Sequence, residues 1–133
     1  MKLPVIAFAV GVCFLLTDSI TLEDLRWKKR IVLVFPDEGE VGDYSDSLKL
    51  EMEARDIVYF ILSDSLRSNT EFSFDEEYVQ QLRTRYLLGS QPPCWVLLGK
   101  DGSLKLRKEE EVDWEEAFVL VDSGPTTVEV ISW

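Results

Sequence analysis

Residues 31–35 (IVLVF) and 57–62 (IVYFIL) decide the fold of this chain. Both runs are continuously apolar and rich in β-branched side chains, which is typical of strands buried on both faces of a sheet. Between them, over residues 44–55, apolar side chains recur every fourth position and predict a helix. Two buried strands joined by a helix form a β-α-β crossover, which favours a parallel strand pair covered by helices.

A second helix and a third buried strand follow. Ser73 and Glu76 have the spacing of a capping box, and an apolar stripe at helical spacing comes after them. The segment 89–93 (GSQPP) ends that helix because proline cannot continue it. Residues 95–98 then form an apolar run that predicts the third strand, while residues 63–70 are predicted to be loop.

The remaining pattern predicts a hairpin and a last helix. Asp101-Gly102 is a strong signal for a two-residue hairpin turn. The turn leads into a half-buried fourth strand, in which Leu104 alternates with charged neighbours. Asp113 is the predicted N-cap of a final helix with a regular apolar face. Residues 128–131 alternate weakly, as either a short edge strand or a tail.

The predicted order of elements is therefore β-α-β-α-β-β-α. This is the order of a thioredoxin-like domain, so the fold class is expected to be α/β, with a four-stranded mixed sheet flanked by helices. The chain of 133 residues contains no internal repeat and no linker, and we expect one domain over residues 20–133.

The N-terminus has the layout of a secretory signal peptide. Lys2 precedes an uncharged, mostly apolar stretch at residues 3–16, and Thr17 and Ser19 are the small residues expected before a cleavage site. We predict cleavage after Ser19 and a secreted or periplasmic location. The apolar stretch is shorter than the roughly 20 residues that span a bilayer, so no integral membrane span is expected after cleavage. The alternative is a buried N-terminal helix or strand.

Composition excludes several classes of function. The formal net charge of −11 argues against nucleic acid or an anionic membrane as partner. The absence of histidine removes histidine-based triads and most catalytic zinc sites. After cleavage Cys94 is the one remaining cysteine, so an internal disulfide is excluded.

Cys94 is the one candidate for reactive chemistry. A redox protein of this fold places a cysteine after its first strand, but residues 36–43 (PDEGEVGD) contain none, and the chain has no C-x-x-C. Cys94 follows Pro92-Pro93, where a thioredoxin-like domain has a cis-proline beside its active site. It is therefore either a small buried hydrophobe or the thiol of a one-cysteine redox protein.

Two charged segments allow a binding role or a purely structural one. The acidic loop could hold a hard cation such as calcium, although it lacks EF-hand spacing. Its members are Asp37, Glu38, Glu40, Asp43 and Asp46. The basic run at residues 26–30 (RWKKR) could contact an anion or a glycan through Trp27. Alternatively, Trp27 packs at the edge of the sheet while the cations balance nearby carboxylates.

Three segments together resemble the DUF4174 family. They are residues 25–35 (LRWKKRIVLVF), 53–58 (EARDIV) and 97–107 (LLGKDGSLKLR), in that order, and the last is the most specific. The resemblance spans about residues 22–122. Near its end, residues 122–129 keep Asp122, Ser123, Pro125 and Glu129 of the family pattern but lack its methionines and arginines.

The resemblance implies a thioredoxin-like fold without the cysteine pair, in small exported bacterial proteins and in animal extracellular-matrix proteins. It implies no catalytic, cofactor-binding or metal-binding residue. We therefore expect a non-catalytic exported domain that binds an unidentified protein or an envelope or matrix component. The alternatives are a single-cysteine thiol redox protein acting through Cys94 and a cation-binding envelope protein.

Overall fold

The computed structural model describes residues 19–37 and 44–123, which form one mixed sheet with helices on both faces. The strands are β1 (Arg30–Phe35), β2 (Ile57–Leu62), β3 (Leu66–Ser68), β4 (Cys94–Leu98) and β5 (Leu104–Lys108). The helices are α1 (Asp46–Ala54), α2 (Glu76–Leu87) and α3 (Trp114–Asp122), with a short 3₁₀ helix at Leu22–Leu25. The predicted signal segment up to Asp18 and residues 128–131, predicted to be either a short edge strand or a tail, lie outside the described residues.

The strand order is β3-β2-β1-β4-β5. β1 and β2 are parallel, as the crossover predicted, and the other neighbouring pairs are antiparallel. The register places Ile31 beside Val58 and Phe35 beside Cys94. The mixed α/β class is confirmed, because the two most apolar runs form the centre of one sheet.

The number of strands predicted for the sheet is wrong, since residues 19–37 and 44–123 form a sheet of five strands instead of four. The extra strand, β3, lies within the segment predicted to be loop. It has three half-buried residues and no long apolar run, so no sequence periodicity could reveal it. The side chain of Asn69 extends its pairing: Oδ1 accepts from the backbone N–H of Tyr59 (3.1 Å), and Nδ2 donates to the carbonyl of Ile57 (3.0 Å).

Alternate side chains of the central strands pack against different helices. Val32 and Val34 face α1 and α3, which contribute Met52 and Ala117 to that half of the core. The opposite face packs against α2 and the 3₁₀ helix. Its buried members include Ile31, Leu33, Phe35, Phe60, Leu82, Tyr86, Leu22 and Leu25. This two-sided burial explains why β1 and β2 are apolar at every position.

A helix cap forms at Asp113, as predicted, and another forms at the 3₁₀ helix. The Asp113 carboxylate accepts from the backbone N–H of Glu116 (3.1 Å) at the start of α3. Asp24 accepts from the backbone N–H of Thr21 (2.9 Å), as a capping box requires. The predicted cap of α2 at Ser73 is wrong. Asp75 occupies that position, because the Ser73 backbone pairs with the N-terminal segment and accepts from the N–H of Ile20 (2.9 Å).

The β4–β5 hairpin forms as predicted, and the N–H of Gly99 donates to the carbonyl of Ser103 (2.9 Å) beyond the ends of the two strands. The loop that remains, residues 100–102, therefore has three residues instead of the two predicted. The N–H of Gly102 donates to the carbonyl of Gly99 (2.9 Å), and Gly102 has a φ of 87°. A tight turn followed by a left-handed glycine is typical of a three-residue hairpin loop with a bulge. Leu104, predicted to be half-buried, is 49% exposed because β5 is the edge of the sheet.

Candidate functional site

The cleft nearest to the predicted active-site corner lies where β1 ends and β4 begins. Phe35 and Cys94 are paired neighbours at that edge of the sheet. Pro36 follows β1, and Pro93, whose peptide bond with Pro92 is cis, precedes β4. The sequence expectation that the segment after β1 and the Pro93-Cys94 pair share one surface is therefore confirmed for the described residues.

The start of α3 closes this corner into a cleft with a volume of about 480 Å³. We call it the corner cleft. Its apolar and aromatic lining consists of Val34, Phe35, Pro36, Tyr44, Pro93, Cys94, Val112 and Trp114. Its acidic lining consists of Asp37, Glu110 and Glu111. The volume lies within the range of about 300–1,000 Å³ that is usual for small-molecule pockets.

Cys94 is only 1% exposed although it contacts the cleft. Burial raises the pKa of its thiol, the positive charge of Arg107 offsets part of that effect, and Glu109 adds to it. A catalytic thiol needs the opposite environment, one that lowers the pKa and leaves the sulfur accessible. At this position the chain holds a protonated, packed sulfur.

Three aromatic rings support the wall of the corner cleft. Tyr44 lies edge-on to Tyr59 and Trp114, with centroid distances of 4.9 and 5.3 Å. In the described structure, the Tyr44 hydroxyl and the Trp114 indole N–H are buried without a hydrogen-bond partner. Burial raises the pKa of Tyr44, and the neighbouring Trp114 indole lowers it. Buried polar groups without a hydrogen-bond partner lower the stability of a fold. The contacts between the aromatic rings therefore hold this wall together.

Arg55 holds the far ends of the two helices that flank the cleft. Its Nε and Nη2 donate to both oxygens of Asp122 (2.9 and 3.0 Å), and Nη1 donates to Glu51 (2.8 Å). Its guanidinium also stacks over the ring of Phe118, 4.4 Å from the centroid. This clamp joins the C-terminal end of α1 to that of α3.

The opposite end of the sheet gathers the three segments that carry the family resemblance. Lys100 donates to Asp56 (2.9 Å), and Lys29 lies 3.8 Å from the same carboxylate. The hydrogen bond and charge of Lys100 lower the pKa of Asp56, and Lys29 lowers it further. Arg26 donates to the carbonyl of Asp101 (3.0 Å), and Arg30 to that of Arg55 (2.7 Å). The predicted balance by carboxylates is confirmed for Lys29 and for Arg26, which lies 3.4 Å from Glu23, whereas Arg30 is held by a backbone carbonyl.

Trp27 does not pack at the edge of the sheet, so that part of the prediction is wrong. Its side chain is 69% exposed and its φ is 71°, a left-handed conformation that is uncommon for a large residue. Its backbone N–H donates to the carbonyl of Lys100, and the Arg26 guanidinium lies 5.6 Å from the ring centroid. The hairpin therefore holds the backbone and leaves the indole outside the core.

Arg107 is an important residue that sequence reasoning missed. Its side chain is 17% exposed. It donates to the carbonyls of Tyr86 and Leu87 (both 2.7 Å), to Ser90 (3.0 Å) and to Glu109 (2.8 Å). It thus satisfies the carbonyls at the end of α2, where a cation is favoured. Only the tertiary placement of β5 beside α2 reveals this, because the local pattern predicts a solvent-facing arginine.

The cation-binding hypothesis concerned a loop that is only partly described. Glu38, Glu40 and Asp43 lie outside the described residues. Within residues 19–37 and 44–123, no three side chains of the metal-ligating types approach closely enough to share a metal ion. Over the same residues, none of the helices has the length and apolarity needed to cross a membrane.

Comparison with models of protein families gives a match that covers most of the chain. The family model for DUF4174, a domain of unknown function, matches residues 21–129 and so covers most of the chain. Neither the curated proteins nor the solved structures give a match. The matched residues include the β1–β2 core, the basic cluster at one end of the sheet and the corner cleft at the other. The chain therefore belongs to the DUF4174 family.

Proposed function

We propose that this DUF4174 domain is a non-catalytic, exported binding domain with a thioredoxin-like arrangement, and that it binds its partner at the corner cleft. The single observation that carries the proposal is the burial of Cys94 with a raised thiol pKa, beside an open cleft. A site that retains a cavity but no activated nucleophile is suited to binding rather than to turnover.

The thioredoxin-like part of the proposal rests on the order and placement of elements. If the short edge strand β3 is set aside, the chain order is β-α-β-α-β-β-α, as such domains have. The placement of Pro93 directly before β4, beside the end of β1, supports the same assignment. The absence of a cysteine from residues 36–43, directly after β1, then distinguishes this domain from redox proteins with the same order of elements.

Export is supported by the sequence pattern of residues 1–19. Expression of the full chain with a C-terminal tag in a secreting host tests it. We expect the tagged protein outside the cytoplasm, with an N-terminus at Ile20. Retention of the intact N-terminus on a cytoplasmic protein would contradict export. A Lys2→Glu variant, which removes the positive charge before the apolar stretch, serves as the export-defective control.

The alternative function is thiol redox chemistry at Cys94. It is less well supported, because a thiol that is 1% exposed and held protonated is a poor nucleophile. Insulin reduction and peroxide turnover by the full chain carrying Cys13→Ser, compared with the same chain carrying also Cys94→Ala, discriminate between the two functions. We expect background rates from both proteins. Turnover that disappears with Cys94→Ala would establish the redox function and overturn the proposal.

A further inference from the structure

We propose that the corner cleft receives an extended, basic segment of a partner protein, with one lysine or arginine side chain packed against the wall that Tyr44 and Trp114 form together and its charge at Glu110 and Glu111. This inference rests on the proposed function and adds the chemistry of the partner.

The walls of the cleft suit the stem of such a side chain. Tyr44 and Trp114 are half-buried, so each ring keeps part of its surface accessible beside the cavity. Pro36 and Pro93 add flat apolar surface. Lysine and arginine carry an aliphatic stem that packs on such surfaces, and aromatic rings attract their cationic heads.

The carboxylates at the mouth supply the complementary charge. In the same acidic run, Glu109 pairs with Arg107 (2.8 Å), and farther on Glu116 pairs with Lys108 (3.2 Å). Glu110 and Glu111, in contrast, are exposed and belong to no ion pair within the described part of the chain. Two carboxylates thus remain available beside an aromatic cavity.

Two positive charges act on residues of the cleft, that of Arg107 on Cys94 and that of Lys108 on Glu110, and each of these cations is itself paired with a glutamate, Glu109 or Glu116. Among the described residues, no lysine or arginine lines it. The net charge of −11 attracts basic partners over a longer range and speeds their encounter, whereas it repels nucleic acid and other polyanions. The lining of the cleft and the net negative charge of the protein therefore both favour a partner protein with an exposed segment that contains lysine or arginine.

Two synthetic peptides test the inference: acetyl-GRGKG-amide and its uncharged counterpart acetyl-GQGQG-amide. Each is titrated into the isotopically labelled full chain at low ionic strength, and the indole N–H resonance of Trp114 is followed by NMR. We expect saturable shifts of that resonance with the basic peptide and none with the glutamine peptide. Equal responses to the two peptides would overturn the proposal.

A charge-matched pair of variants locates the site. Glu110→Gln with Glu111→Gln removes two charges at the mouth, and Glu76→Gln with Glu77→Gln removes two in the first turn of α2. From the usual strength of exposed charge pairs, we expect the first variant to weaken binding about fivefold and the second less than twofold. Equal weakening by both variants, or by neither, would overturn the proposal. So would tighter binding of free spermine than of the peptide, which would make a small polyamine the ligand.

The outcome can be separated from that of the proposed function. If Cys94-dependent turnover is found, the proposed function fails whatever the peptides do. If turnover stays at background and the basic peptide does not shift Trp114, the non-catalytic role stands and only the partner chemistry is wrong.

Discussion

Replacement of Cys94 by serine should destabilise the protein more than replacement by alanine. Serine is often chosen as the conservative substitute for a catalytic cysteine, but at this position we expect alanine to be the less destabilising of the two. Cys94 lies among buried apolar side chains that include Phe35 and Val96, and it is 1% exposed. The Cys94 side chain therefore packs in the core as a small hydrophobic group.

The magnitudes follow from burial. Alanine removes one buried heavy atom, for which a cost of about 1 kcal/mol is expected. Serine also loses the contribution of the buried sulfur, and its smaller oxygen places a hydroxyl among apolar neighbours, which adds about 1–2 kcal/mol to that cost. With a urea m-value of about 1.5 kcal/mol/M, the midpoint falls by roughly 0.7 M for Cys94→Ala and 1.3–2 M for Cys94→Ser.

Equilibrium urea unfolding followed by tryptophan fluorescence measures both shifts, with Cys13→Ser as the common background. The m-value should remain constant, because the fold does not change. A serine variant as stable as the parent, or more stable than the alanine variant, would refute the reasoning. It would mean that the thiol occupies a polar, solvated site.

Three further predictions concern the buried core, the contacts of Arg107 at the end of α2, and the ion pair between Asp56 and Lys100. Leu82→Ala should cost about 3 kcal/mol in urea unfolding because Leu82 is fully buried, whereas Leu50→Ala, at a position 65% exposed, should change stability by less than about 0.5 kcal/mol. Arg107→Lys should cost about 2 kcal/mol, since lysine cannot replace the fork that caps α2; an unchanged midpoint would contradict that role. Asp56→Asn should destabilise at pH 7, where the lowered pKa of Asp56 makes its pairing with Lys100 fully effective. The pairing is complete above the ordinary pKa of 3.8 and is lost as the pH falls through the lower folded value, so wild type and variant should converge in acid; a gap that does not depend on pH would contradict it.

The fold was largely readable from the sequence because its strands are buried on both faces. Continuous apolar runs at β1, β2 and β4 leave few other possibilities, and helical spacing fixes α1 and α3. β3 was not predicted because it has only three residues and the side chain of Asn69 makes part of its pairing with β2. Such a short strand shows no alternation of apolar and polar residues in the sequence.

The candidate site was readable only in part. Cys94 directly follows Pro93 in the sequence, and its placement near the segment after β1 was expected from the thioredoxin-like order of elements, because sequence alone does not show that β1 and β4 are adjacent. From the sequence alone, Trp114 could be assigned only to the apolar face of α3, and Glu111 only to the acidic segment before that helix. Their contribution to the corner cleft depends on how α3 crosses the sheet, which is set by tertiary packing and by the Arg55 clamp. Exposed Trp27 was missed for a related reason, because its backbone is held by a distant hairpin.

The central claim is that the corner of this domain holds an inert thiol beside a binding cleft. The rate of Cys94 alkylation by iodoacetamide as a function of pH, in the folded Cys13→Ser chain, tests it most directly. We expect an apparent pKa above the usual value of about 8.5 and a rate about 100-fold below that of the urea-unfolded chain, because labelling requires local opening of the sheet. A rate at neutral pH that equals or exceeds that of the unfolded chain, with an apparent pKa below the usual value, would contradict the claim.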